Sequence, residues 1–220
     1  MYAIRFELKD IADGMRSLRP EEIAAPRRLL KSRIGLRSMG DVTSPDRKLL
    51  TPMEGIATRL LEGTLGIEGA QFGSWSEVDF DRFFQQHLGS GCYLWIDADG
   101  TGPVPLFHAP YSAPRRDWLY VTALEAGMRP CGITREDGRL SVMANLDCDF
   151  TFVFGEAELM AKFDSAFGGS DRICAEFDAF LTSKAVDFGA GDIYGFMKTW
   201  LPAIGGCGER GSNLVRASIM

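Results

Sequence analysis

The stretch from Cys131 to Phe154, CGITREDGRLSVMANLDCDFTFVF, decides the fold prediction for this chain. Two segments rich in apolar and β-branched residues flank an Asp-Gly pair at positions 137–138, which is the strongest short-range signal for a tight β-hairpin. From Phe150 to Phe154 phenylalanine then occupies alternate positions, and this period of two predicts a third strand with one aromatic face. Consecutive strands joined by short turns predict an antiparallel meander.

Further strands are predicted on the N-terminal side of this stretch. The segment DWLYVTALEA, residues 117–126, is rich in aromatic and β-branched side chains and is interpreted as the first strand of the meander. The run CYLWI, residues 92–96, predicts another strand, and the alternation in residues 2–8 predicts one more. A closing strand is expected at NLVRASI, residues 213–219.

Helical spacing of apolar residues places helices around these strands. Residues 74–88 predict a helix that ends at Gly89, and the chain from Glu156 to Phe167 predicts a second helix that ends at two glycines. A third helix is expected after a cap at Ser170, and a fourth within residues 191–204. The fold class is therefore α+β: an antiparallel β-meander packed on one face against helices that lie mostly N- and C-terminal to the strands.

Residues 1–220 are predicted to form a single domain, because no segment has the composition of a linker. Within it, residues 10–68 form an Arg/Pro-rich segment of helix and loop that we expect to be mobile. Its predicted helix is interrupted at Pro26, and turn-forming residues cluster in residues 39–52.

Composition narrows the class of partner. Apolar residues make up 45% of the chain, enough to build a core, and the net charge is −6. Residues 1–50 carry an excess of positive charge, whereas the rest of the chain is strongly acidic. An acidic body favours a basic partner and makes nucleic acid an unlikely one, although Arg27 and Arg28 are candidate phosphate contacts for a nucleic-acid or small-molecule binder.

The cysteine pattern and the N-terminus predict a cytoplasmic protein. The five cysteines are odd in number and contain no C-x-x-C pair, so we interpret them as reduced thiols and predict no metal site. The N-terminal residues lack an apolar signal-peptide region, and no apolar run is long enough to span a membrane. No cofactor is predicted from these features.

One stretch has the form of a catalytic motif. Residues 95–102, WIDADGTG, place Asp97 and Asp99 at the end of an apolar strand, and this resembles the first motif of haloacid dehalogenase-like phosphatases. The resemblance implies that Asp97 is the nucleophile, that Asp99 is the acid/base and that both carboxylates bind Mg²⁺. It also implies a parallel sheet and later partners, for which Thr122 and Asp192 are the candidates.

The same stretch also has the composition of a turn. Asp bonds readily to nearby backbone N–H groups and Gly adopts positive φ, so residues 97–102 can simply carry the chain from one strand to the next. Phosphate-binding, nucleophile-elbow and zinc-protease motifs are absent from the sequence. An enzymatic function is therefore not favoured, and a Mg²⁺-dependent phosphatase using Asp97 and Asp99 is the alternative hypothesis.

The favoured function is recognition of another protein. In composition and architecture the chain is similar to bacterial immunity proteins, which bind and neutralise toxins. An acidic surface would steer a basic partner, and aromatic and arginine side chains would anchor it. The candidate binding residues are Trp75, Trp118, Tyr120, Arg115 and Arg116.

Overall fold

The computed structural model describes residues 14–38, 48–63, 71–72, 75–97, 100–146 and 149–188. The strand predicted in residues 2–8, the helix predicted in 191–204 and the closing strand predicted in 213–219 lie outside these ranges, as do residues 39–47 of the predicted loop.

Eleven strands and five α-helices are present in the described residues. The strands are β1 Arg16–Ser17, β2 Ile34–Ser38, β3 Lys48–Pro52, β4 Ala57–Glu62, β5 Gln71–Phe72, β6 Trp75–Ser76, β7 Cys92–Ile96, β8 Val104–Ala109, β9 Cys131–Arg135, β10 Leu140–Asn145 and β11 Phe150–Gly155. The helices are α1 Ala24–Arg33, α2 Glu77–His87, α3 Ala113–Glu125, α4 Ala157–Ala166 and α5 Ser170–Phe188, and a short 3-10 turn covers Pro20–Glu22.

Seven of the strands form one antiparallel sheet in the order β1-β8-β7-β9-β10-β11-β4. The predicted meander is confirmed, since β10 pairs with both β9 and β11. Strand β4 extends the sheet beyond β11, with Leu60 opposite Phe152. The α+β fold class with an antiparallel sheet is therefore confirmed.

The loop between β9 and β10 is longer than the Asp-Gly pair suggested. Because β9 ends at Arg135 and β10 begins at Leu140, four residues lie between the strands. The N–H of Gly138 donates to the carbonyl of Arg135 at 2.8 Å, and Gly138 has the positive φ of +74° that its lack of a side chain allows. The Asp137 carboxylate accepts the N–H of Arg139 at 3.0 Å and closes the turn.

Both faces of the sheet are covered, which corrects the prediction of helices on one face. On one face α2, α3 and α4 enclose a core that contains Phe80, Phe163 and Val153. On the other face α1, the β2–β3 hairpin and most of α5 enclose a second core around the phenylalanines of β11. Alternate residues of β11 point to opposite faces, and all six are buried. Such a strand needs an apolar layer on each side.

The predicted strand at residues 117–126 is wrong, because this segment belongs to helix α3. Ser112 has the extended backbone of a residue that precedes a helix, and Pro114 lies in the first turn, where a missing N–H costs nothing. Arg115, Leu119 and Ala123 are buried at a spacing of four, which is the period of a helix. Tertiary packing along this face therefore outweighs the β-propensity of the aromatic residues.

The other helices predicted within the described residues are confirmed with small changes at their ends. Gly89 follows α2 with φ of +80°, and Gly168 and Gly169 follow α4 with φ of +84° and +99°. Pro26 lies in the first turn of α1 after the separate 3-10 turn, so the helix restarts before this proline. None of the helices in the described part of the chain has the length and apolar character needed to cross a membrane.

Candidate functional site

Asp97 stabilises a turn in the structure. It follows β7, is 4% exposed, and its N–H donates to the carbonyl of Pro130 at 2.9 Å. Its carboxylate accepts the N–H of Gly102 at 3.0 Å, while Gly100 and Gly102 adopt positive φ. This hydrogen bond ties the end of β7 to a residue five positions further on, just before β8 begins. Asp99, the second residue of the motif, lies outside the described residues.

The surroundings of Asp97 differ from those that the phosphatase resemblance implies. Strand β7 has antiparallel neighbours on both sides, whereas that chemistry was expected at the end of a parallel strand. Thr122 lies inside α3, where its hydroxyl donates to the carbonyl of Trp118 at 2.8 Å. Asp192 lies outside the described ranges. Within these ranges no group of three or more His, Cys, Asp or Glu side chains could hold a metal ion.

Arg116 lies at the centre of a buried charged cluster between α2 and α3. Its guanidinium contacts Glu77, Asp81 at 2.5 Å and Asp117 at 2.6 Å, and the Tyr111 hydroxyl donates to Asp81 at 2.5 Å. We refer to these five residues as the Arg116 cluster. Burial raises the pKa of Asp81 to about 6, the hydrogen bond from Tyr111 opposes this shift, and the nearby Asp117 carboxylate adds to it. The cluster ties the first turns of α2 to α3.

Three of the five candidate binding residues are therefore buried. Arg116 is 3% exposed, and Arg115 is buried with its guanidinium donating to the carbonyl of Pro110 at 2.9 Å. Trp75 packs edge-on against Phe80 and Phe167 in the core. In this structure the contacts of the two arginines connect elements of the fold.

Trp118 and Tyr120 are half-buried on α3 and lead to an exposed apolar surface. Leu124 is 43% exposed and Met128 is 48% exposed, and both follow Tyr120 at intervals of four residues. Met128 lies beyond the helix end, where Gly127 and Met128 adopt positive φ of +97° and +56°, and its N–H donates to the carbonyl of Leu124 at 3.1 Å. We call Tyr120, Leu124 and Met128 the apolar face of α3.

The sequence does not point to Leu124 and Met128 as a surface, because the β-propensity of residues 117–126 predicts a strand that ends before Met128. In a strand, residues 120, 124 and 128 share a face with every second residue between them, and no distinct apolar stripe results. In a helix the spacing of four places Tyr120 and Leu124 on one side, and Met128 follows just beyond the helix end. The signals that could have identified the helix are Ser112 and Pro114, which are typical of a helix start.

The described cysteines offer no activated nucleophile. Cys92 and Cys131 are buried free thiols, and burial raises the pKa of each to about 12. His108 pairs with Glu136, with 3.0 Å between the Nε2 and Oε2 atoms. Cys174 in α5 is disulfide-bonded, which corrects the prediction that all five cysteines are reduced.

Comparison with known proteins returns no match for this chain among protein-family models, curated proteins or solved structures.

Proposed function

We propose that this protein acts by binding another protein through the apolar face of α3. The observation that supports the proposal best is the exposure of Leu124, four residues after half-buried Tyr120 on α3, and of Met128 just beyond the helix end. Large apolar side chains grouped on one helix face are typical of surfaces that dock into a partner's groove. Tyrosine and methionine are also enriched at protein interfaces, where an aromatic anchor contributes a large share of the affinity.

We further propose that the partner is a basic protein. The chain carries a net charge of −6, and the acidic excess falls in residues 51–220, which include α3. Long-range attraction between an acidic body and a basic partner raises the association rate, and salt weakens it. The apolar face of α3 would then supply the short-range contacts that keep the complex together.

The physiological role that fits this chemistry is that of a bacterial immunity protein that neutralises a toxin. Toxins that attack nucleic acids or membranes carry basic surfaces, because their targets are anionic. An acidic inhibitor can cover such a surface without any catalytic group of its own. This role rests on composition and on the apolar face of α3.

The proposal is tested by affinity capture from a lysate of the source organism. The full chain is immobilised as wild type, as the double variant Leu124→Glu, Met128→Glu, and as Val78→Glu. Val78 is the matched control, because it is 63% exposed on α2 outside the proposed surface. We expect a basic protein that the wild type and Val78→Glu capture equally and that the double variant does not capture.

Two further measurements make the result specific. Capture at raised ionic strength should decrease, because the attraction between net charges is screened. Expression of the captured protein alone should arrest bacterial growth, and co-expression of the wild type but not of the double variant should restore it. The proposal would be contradicted if none of the three baits captured a basic protein, or if the double variant captured it as well as the wild type did.

A further inference from the structure

A groove between α2 and α4, next to the start of α5, has the dimensions of a small-molecule site. Its cavity volume is about 630 Å³, which lies within the usual range for ligand pockets. Two kinds of side chain dominate its lining, aromatic rings on the floor and cations around the rim. They are Trp75, Phe83 and Phe167 on the floor and Arg82, Lys162 and Arg172 on the rim.

The lining carries excess positive charge although the chain as a whole is acidic. Three cations face one carboxylate, Asp79, among the lining residues that the structure describes. Asp79 is itself engaged by the start of α2, where the hydroxyl and N–H of Ser76 donate to it at 2.8 and 3.2 Å. These hydrogen bonds lower the pKa of Asp79, so it stays ionised without a ligand. Arg82 approaches this carboxylate only to 3.8 Å.

The other two cations have partners that an anionic ligand can replace. Lys162 contacts Glu158 at 2.8 Å and Arg172 contacts Glu176 at 3.4 Å, and both pairs follow the i,i+4 spacing of a helix surface. The cationic side chains are half exposed, and neither glutamate is among the residues that line the groove. Exposed pairs of this kind contribute little stability, so a multivalent anion can compete with them.

The Arg172 side chain lies beside Gly168 and over the ring of Trp75. A Cβ atom at Gly168 would come within 2.8 Å of the Arg172 Cδ, so glycine leaves the space in which this side chain lies. The guanidinium carbon of Arg172 is 5.2 Å from the centre of the Trp75 ring, a cation–π distance. An arginine placed on an aromatic floor presents its N–H donors as a planar fork, which suits phosphate oxygens.

We propose that this groove binds a small organic phosphate, with the phosphate among the three cations and its organic part against the aromatic floor. A phosphate monoester carries a charge of about −1.5 to −2 at neutral pH, which matches the excess charge of the lining. The apolar floor explains why an organic phosphate is favoured over the inorganic ion. The site is separate from the apolar face of α3 and is independent of the proposed function.

Calorimetric titration of the full chain with phenyl phosphate, inorganic phosphate and benzyl alcohol tests this proposal at constant ionic strength. We expect phenyl phosphate to bind with a Kd on the order of 0.1–1 mM, as its size allows. Inorganic phosphate and benzyl alcohol, which represent its two halves, should each bind at least about tenfold more weakly. Arg82→Ala and Lys162→Ala should each weaken the binding of phenyl phosphate by about fivefold to tenfold. Arg19→Ala, which removes an exposed cation outside the groove, should leave the affinity unchanged.

Three results would overturn the proposal. One is the absence of saturable binding up to about 10 mM phenyl phosphate, well above the expected Kd. The second is equal weakening by Arg19→Ala and Arg82→Ala, which would indicate a general charge effect. The third is equal affinity for phenyl phosphate and inorganic phosphate, which would exclude a role for the aromatic floor. Arg82 is exposed, so its variant is expected to fold normally.

Discussion

The guanidinium of Arg116 reaches carboxylates on two helices, Glu77 and Asp81 of α2 and Asp117 of α3. A guanidinium offers five N–H donors in a planar fork, so it can serve several carboxylates at once. A lysine ammonium offers a single charge centre on a flexible stem and cannot span the same set. The residue type at position 116 is therefore decided by the number of carboxylates that meet there.

Arg116→Lys should destabilise the fold by about 2–3 kcal/mol, because two or more buried carboxylates lose a hydrogen-bond donor. Arg82→Lys, at a position that is 76% exposed, should change the free energy of unfolding by less than about 0.5 kcal/mol. Urea denaturation of the two variants and the wild type provides the measurement. Equal stability of Arg116→Lys and the wild type would show that the cluster does not hold α2 to α3.

The raised pKa of Asp81 predicts a specific pH dependence of stability. In the folded chain this carboxyl has a pKa of about 6, because it is buried and near Asp117, while in the unfolded chain it returns to about 3.9. The folded state therefore binds the proton more tightly. The resulting stabilisation is fully present below about pH 4 and is lost as the pH rises through 6.

Comparison with Asp81→Asn isolates this contribution, since other groups titrate equally in both chains. Between pH 5 and pH 7.5 the wild type should lose about 1 kcal/mol of stability relative to the variant. The measurement is urea denaturation at both pH values. A constant difference between the two proteins would mean that Arg116, Glu77 and Tyr111 already balance the charge of Asp81.

At the scale of single elements, Gly132 shows how two strands fit together. Gly132 of β9 lies opposite Trp95 of β7, and a Cβ atom there would approach the Trp95 ring to 2.4 Å and the carbonyl oxygen of Val142 to 2.5 Å. The ring itself is fixed, since its Nε1 donates to the Thr134 hydroxyl at 3.0 Å. Glycine therefore leaves the space in which the indole lies across the neighbouring strand.

Gly132→Ala should cost about 2 kcal/mol, because neither the backbone of β10 nor the buried indole can move away. Gly35→Ala is the matched control, since the nearest atom there is the terminal sulfur of the flexible Met53 side chain. We expect the control to change stability by less than about 1 kcal/mol in thermal or urea unfolding. If Gly132→Ala left the free energy of unfolding unchanged, Trp95 would not lie over β9 in solution.

Period and propensity predicted most elements but not helix α3. The alternating phenylalanines of β11 and the helix signals before Gly89 and Gly168 are local, and the structure confirms them. In α3 the buried face includes Arg115 and Arg116, whose polarity hides the helical period from a search for apolar stripes. Their burial depends on acceptors supplied elsewhere, by α2 and Pro110, and the sequence of α3 alone carries no sign of it.

At the scale of the whole molecule, the fold class was predictable but the candidate site was only partly so. The antiparallel sheet follows from short turns between adjacent strands, whereas its second covered face depends on how distant segments such as α1 and α5 return to it. Tyr120 was identified as a candidate anchor from its residue type. Leu124 and Met128 became candidates only when their exposure was known.

The central claim is that the apolar face of α3 binds a basic protein, and the affinity of the captured partner tests it most directly. The Kd for the purified partner is measured by titration. The double variant Leu124→Glu, Met128→Glu should raise this Kd by at least about a hundredfold, whereas Val78→Glu should leave it within about threefold. The Kd of the wild type should also rise with salt concentration. Both variants should unfold at the same urea concentration as the wild type. A partner that binds the double variant as tightly as the wild type would contradict the claim.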